Sequence, residues 1–352
     1  MKERLRYFDI LKGLAIFMVV MGHVMAMGVR GIDATPLFKF IGQIHMPIFF
    51  FISGWLAWRP KAPTLLPKAR RLLVPMVAVS TLWIYYYPFS GLQSPFDSTW
   101  AGLWTATFKN GYWFTFVLFE LFVLYVPVWH LLQRCRSLAT SLAVVVASWA
   151  VVLAVYYFLP SEACDILSWS LTAEFFAVFM AGVLASRYRD GFLRLTANGN
   201  LVGAAIILAG ICLELAAWPW RHGIEAEWIQ LGLRVVLQLC VALVGIAVVR
   251  PWSHSAFAAG RRAPLASMWE YIGSRSLSIY LLHYFFIFPL GTLRDSLVSM
   301  DLAFVPMFIF SAAGAAAIVA VVLGVDYILR YAGPLYFLLT GSESLKQTTV
   351  KK

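Results

Sequence analysis

A histidine, His23, stands inside the first membrane-length apolar run of the chain, FDILKGLAIFMVVMGHVMAMG. An ionisable side chain in a spanning helix is costly and marks a functional site by default. Imidazole at such a depth suits proton transfer or nucleophilic catalysis. Lys12 and Asp9 stand three and four turns below it on nearly the same helical face. Other polar groups fall in the outer half of the membrane. They are His45, His283, Glu120, Glu174, and a stripe of Gln230, Arg234 and Gln238 at i, i+4 and i+8. Counting from the inner edge of its span, His23 lies roughly 20 Å up a core of about 30 Å. Together these groups suggest one outward-facing polar cavity; His45, Glu174 and Gln230, nearest the boundary, also fit a plainer reading as interfacial residues. On the other side, WRPKAPTLLPKARRLLVP concentrates Lys68, Arg70 and Arg71. The two arginines are expected at a helix start, where side chains and free backbone N–H groups would grip phosphate. An anionic cofactor with a long thin arm would bind there and reach up toward His23. Simple topology charge explains part of that cluster as well.

The elements that must position these residues are membrane helices. The chain has 352 residues, 61% hydrophobic and 13% charged, with a mean hydropathy of +0.78. That composition is an all-α, polytopic membrane protein. Ten spans are expected, near 10–28, 41–57, 72–89, 113–132, 138–158, 168–186, 200–217, 229–248, 272–290 and 303–329. The first lacks a small-residue cleavage site and is expected to stay as a helix. Lys and Arg gather in alternate loops, from Arg6 through Arg59 and Arg134 to Arg189 and Arg250. The positive-inside rule then puts both termini in the cytoplasm. The net charge of +11 reads as this topology plus contact with anionic lipid, not as nucleic-acid binding. Four cysteines without CxxC spacing imply no disulfide framework, and no metal site is expected. Residues 1–340 are expected to form one transmembrane domain, with 341–352 a disordered cytoplasmic tail.

Several motifs resemble the acyltransferase-3 family of membrane O-acyltransferases, in its acetylase-like branch acting on surface and envelope glycans. The first helix carries Arg6-Tyr7-Phe8-Asp9-Ile10-Leu11-Lys12-Gly13 and ends in Gly22-His23. The second carries His45-Met46-Pro47-Ile48-Phe49-Phe50-Phe51-Ile52-Ser53-Gly54. Arg70-Arg71-Leu72-Leu73-Val74-Pro75, Tyr112-Trp113-Phe114 and Ser276-Leu277-Ser278-Ile279-Tyr280-Leu281-Leu282-His283 follow in the family's order. Lys12 stands where the family usually has Arg, keeping the charge without the bidentate fork. The resemblance implies a cytoplasmic donor, acetyl-CoA or another short acyl-CoA, and a glycan or lipid-linked sugar acceptor outside. It implies a bacterial inner-membrane location. It assigns His23 as base or nucleophile, with Asp9 and Lys12 paired or orienting the donor. Arg70, Arg71 and Lys68 would hold the phosphates. His45, Glu120, Trp113, Glu174, Arg234 and His283 would meet the acceptor. The rival reading is a transporter or flippase, since intramembrane His and Glu also serve proton-coupled transport; the lack of inverted repeats counts against it.

Overall fold

The computed structural model describes residues 5–28, 36–92, 94–217, 219–224, 226–258, 263–289 and 304–343. Among them every regular element is helical. The chain runs α1 (Arg6–His23), α2 (Pro36–Ala57), α3 (Leu66–Tyr86) and α4 (Trp100–Thr105). It continues through α5 (Trp113–Arg134), α6 (Leu138–Phe158), α7 (Ser161–Ile166) and α8 (Trp169–Arg187). Then come α9 (Arg189–Ala197), α10 (Gly199–Ala217), α11 (Glu227–Ala258) and α12 (Pro264–Ser274). The last are α13 (Ser276–Leu282), α14 (Phe304–Leu329) and α15 (Pro334–Thr340).

Nine helices among the described residues are long and apolar enough to cross a bilayer. They match nine of the ten expected spans, and the protein is a polytopic membrane protein. The ninth expected span, near 272–290, is corrected: it is not a continuous helix. Here α12 ends at Ser274, Arg275 leaves helical geometry (φ −116°, ψ 14°), and α13 gives way to a 3₁₀ turn at His283–Phe286. Arg275 lies against Asp326 of α14 at 3.4 Å, and Arg330 and the Tyr336 hydroxyl also bind that fully buried carboxylate. The break at Arg275 adds a third partner to that carboxylate. The end of the expected tail is outside the described residues from 344 onward. Gly341, however, is ordered at φ +65° against the backbone carbonyl of Arg71.

α1 is the centre of the bundle, packed on α2, α11, α12, α13 and α14. Backbones approach closely where glycine permits. A Cβ on Gly273 of α12 would lie 1.6 Å from the Asp9 carbonyl oxygen, and one on Gly54 of α2 would lie 1.9 Å from that of Phe179 in α8. These contacts fix α1 and α2 against their neighbours and set the height of His23 and His45. α6 and α10, apolar on all sides, turn most of their side chains outward, as helices facing lipid do.

Candidate active site

His23 is the last residue of α1, where the helix widens into a π turn over Val24–Gly28. Such a turn re-aims a side chain and often marks a site. Its partner is His283, at the first residue of the 3₁₀ turn after α13. His283 Nδ1 lies 3.0 Å from the Ile279 carbonyl and 2.8 Å from that of Tyr280. Carbonyls only accept, so Nδ1 carries the proton and Nε2 of the neutral ring is an acceptor. That nitrogen sits 2.9 Å from His23 Nδ1, which must therefore donate. The proton on His23 is thus assigned to Nδ1, and its Nε2 keeps a lone pair. Into that lone pair points the Tyr284 hydroxyl, at 3.0 Å. His23 is half-buried, while His283 is fully enclosed.

The tyrosine has a second outlet. Its hydroxyl lies 3.4 Å from the carbonyl of Gly111, which also accepts from Tyr280 at 2.9 Å. Tyr280 in turn accepts from the Phe114 N–H at 3.1 Å. The Gly111 carbonyl is aimed by three successive residues with positive φ, Lys109 (46°), Asn110 (54°) and Gly111 (92°). Two non-glycine residues held there cost free energy, and such strain concentrates at functional sites. Lys109 braces the turn, its ammonium donating to the carbonyls of Trp104, Ala106, Asp165 and Ile166. Burial pushes the Lys109 ammonium down to about 8, against the opposing pull of Glu120 and Asp165. The four carbonyls hold a proton on it. Phe96, from the α3–α4 connection, closes over the cluster with its ring 6.5 Å from that of His23.

Two cavities approach from the opposite side. One, about 190 Å³, is a narrow passage between α1, α2, α3 and α5. Lys12, Lys68 and Arg71 line it, as do Val19 and Tyr280, one turn below the histidines. The other, about 600 Å³, adjoins it through Lys12 and Leu56 and is lined by Trp55, Trp58 and Arg189. Lys12 pairs with Asp9 at 2.7 Å. From Lys12 to His23, α1 rises about 16 Å. Lys68 places its ammonium 4.3 Å above the Phe122 ring. Two expectations for this region are corrected. Arg70 is exposed and does not line the passage. Nor do the arginines stand at a helix start: α3 begins at Leu66, so its free N–H groups lie a turn earlier and any grip by Arg71 is by side chain.

Among the described residues, the polar groups expected to line one outer cavity fall into more than one set. His23 and His283 come together. His45 turns Nδ1 onto the Ile41 carbonyl of its own helix. Glu120 accepts from Thr172 at 2.5 Å. Trp113 stacks on Phe175, with ring centroids 5.7 Å apart. Glu174 forms a separate cluster with Arg234 (3.1 Å) and Gln238 (2.6 Å), in another cavity. Tyr284, Gly111 and Lys109 were missed. The signal for Tyr284 was its place directly after His283; Asn110-Gly111 was a turn signal without a visible task. Among the described residues no group of three metal-ligating side chains is placed to hold an ion.

A family model described as an acyltransferase domain matches residues 5–326. The chain belongs to the acyltransferase-3 family. It is 32% identical over 133 residues to nodulation protein NolL of Sinorhizobium fredii. It is 34% identical over 127 residues to nodulation protein NolL of Mesorhizobium japonicum. The chain spans about a third of the length of these curated relatives, each match covering 34% of the relative and 33% of the chain. No solved structure matches it. In this acyltransferase-3 chain the histidine pair sets a lone-pair nitrogen above a cation-lined passage.

Proposed function

We propose that the protein moves an acetyl, or other short acyl, group from cytoplasmic acyl-CoA to a hydroxyl of an envelope glycan or lipid-linked sugar, in the bacterial cytoplasmic membrane. The observation that carries this reading is the unprotonated Nε2 of His23, set one turn above a passage whose far end holds Lys12, Lys68 and Arg71. A narrow passage opening into a wider one suits a ligand with a thin arm and a bulky anionic head. Arg71, Lys68 and Arg189 would meet the phosphates, and Trp55 and Trp58 offer faces for a base. The transmembrane domain is taken as residues 1–340, with 341–352 as a cytoplasmic tail.

The chemistry follows from the proton inventory. His23 Nε2 accepts the proton of the acceptor hydroxyl as its oxygen attacks the thioester carbonyl carbon. The carbon–sulfur bond of the tetrahedral intermediate then breaks, and His23 returns that proton to the departing thiolate. His283 holds His23 in the tautomer that makes this possible. As the acceptor takes its place at Nε2, the Tyr284 hydroxyl is released to the Gly111 carbonyl or to the developing oxyanion.

The test uses purified protein in sealed proteoliposomes with radiolabelled acetyl-CoA and envelope glycan. Thiol release that requires acceptor, and is lost in His23→Ala, supports the reading. Passage of either substrate across the membrane without thiol release sinks it.

A further inference from the structure

A third cavity, about 810 Å³, lies at the far ends of α6, α8 and α11 from the cation-lined passage. Its size falls within the range of about 300–1,000 Å³ common to ligand sites. Beside the aliphatic Leu153, Leu171 and Leu231, its lining carries two kinds of surface. Charged and amide groups come from Glu174 and Arg234, which are ion-paired at 3.1 Å, and from Gln230. Aromatic faces come from Trp149, Tyr156 and Trp228. Behind them Gln238, almost fully buried, donates to Glu174 and leaves its own Oε1 without a partner. Carboxylate and amide groups beside flat rings match the hydroxyl-bearing edges and C–H faces of a sugar.

Charge selects among ligands. Two carboxylates, Glu174 and Glu227, face one guanidinium, Arg234, leaving one net negative charge. A phosphate or an anionic lipid headgroup is disfavoured there, and an uncharged sugar is not. The cavity shares no lining residue with the passage below His23. Phe175, next to Glu174 in sequence, turns the other way and stacks on Phe50 at 4.3 Å. We propose that this cleft binds an uncharged oligosaccharide, as a carbohydrate site apart from the histidine pair. It extends the acceptor side of the proposed function but needs no acyl transfer, so the two fail separately.

Gly232 lines the cleft with open space where a Cβ would stand, so Gly232→Phe fills the cavity without a backbone clash. Calorimetry on the full protein in nanodiscs, without acyl donor, would use β-linked tetrasaccharides of glucose and of N-acetylglucosamine. At least one is expected to bind saturably. Glu174→Gln is expected to weaken it ~10-fold or more, and Gly232→Phe to abolish it with the melting curve unchanged. A sulfated tetrasaccharide is expected to bind more weakly than its uncharged parent. Binding of neither neutral sugar, or equal affinity in both variants, overturns the proposal. So does a co-purifying phospholipid that Gly232→Phe expels while sugar binding stays.

Discussion

The histidine pair and the Glu174–Arg234 pair are both polar islands among apolar helices, yet they are built differently. Glu174, Arg234 and Gln238 project from the uninterrupted helices α8 and α11, with the latter two at i and i+4. The histidine centre is assembled where regular structure fails: a π turn at His23, a 3₁₀ turn at His283, and three residues of positive φ before α5. Intact helices suit a cluster that holds something still. Broken ones supply unpaired carbonyls and re-aimed rings, the material needed to set a tautomer and exchange a proton.

The comparison can be broken or sharpened in order of expected effect. His23→Ala is expected to lower acceptor-dependent thiol release ~1,000-fold or more, since it removes the lone pair proposed to take the acceptor's proton. A loss under tenfold would move the chemistry elsewhere. Gly111→Ala is expected to cost ~100-fold, as its Cβ would lie 2.5 Å from the Tyr284 hydroxyl oxygen at a φ that disfavours alanine. Stopped-flow turnover alongside a melting curve separates mis-aiming from unfolding. At the other cluster, Arg234→Met is expected to cost stability, about 2 kcal/mol after allowance for the part of Arg234 that faces solvent. The double variant Glu174→Gln/Arg234→Met should recover most of it; thermal denaturation in detergent reads both. Tyr284→Phe is expected to reduce kcat ~10-fold with KM for the donor unchanged. A change in KM alone would make Tyr284 a packing residue. Smallest, Arg71→Ala should raise KM for acyl-CoA ~5-fold and Arg70→Ala under ~2-fold, the difference shrinking as salt rises.

Much of this was legible in the chain, for identifiable reasons. Nine spans follow from length and hydropathy because the bilayer forces helices. His23 and His283 announce themselves as ionisable groups in apolar runs. The kink at Arg275 was hidden because Asp326, the charge that holds it, sits some fifty residues later. Tyr284 and Gly111 were hidden because their roles depend on a contact across 173 positions that no local pattern records. The separate Glu174 cluster was hidden for a related reason. Depth along an axis can be counted from sequence, but the rotation of one helix about its neighbour cannot. Glu174 and Glu120 share a height and turn to different partners, one to Arg234 and one to Thr172.

His23 and His283 stand 260 positions apart. A ribosome therefore inserts His23 early and the group that orients its proton late. While the chain is being made, His23 waits in the membrane as an unsupported imidazole. Until α13 follows, no partner fixes which nitrogen of that ring carries the proton.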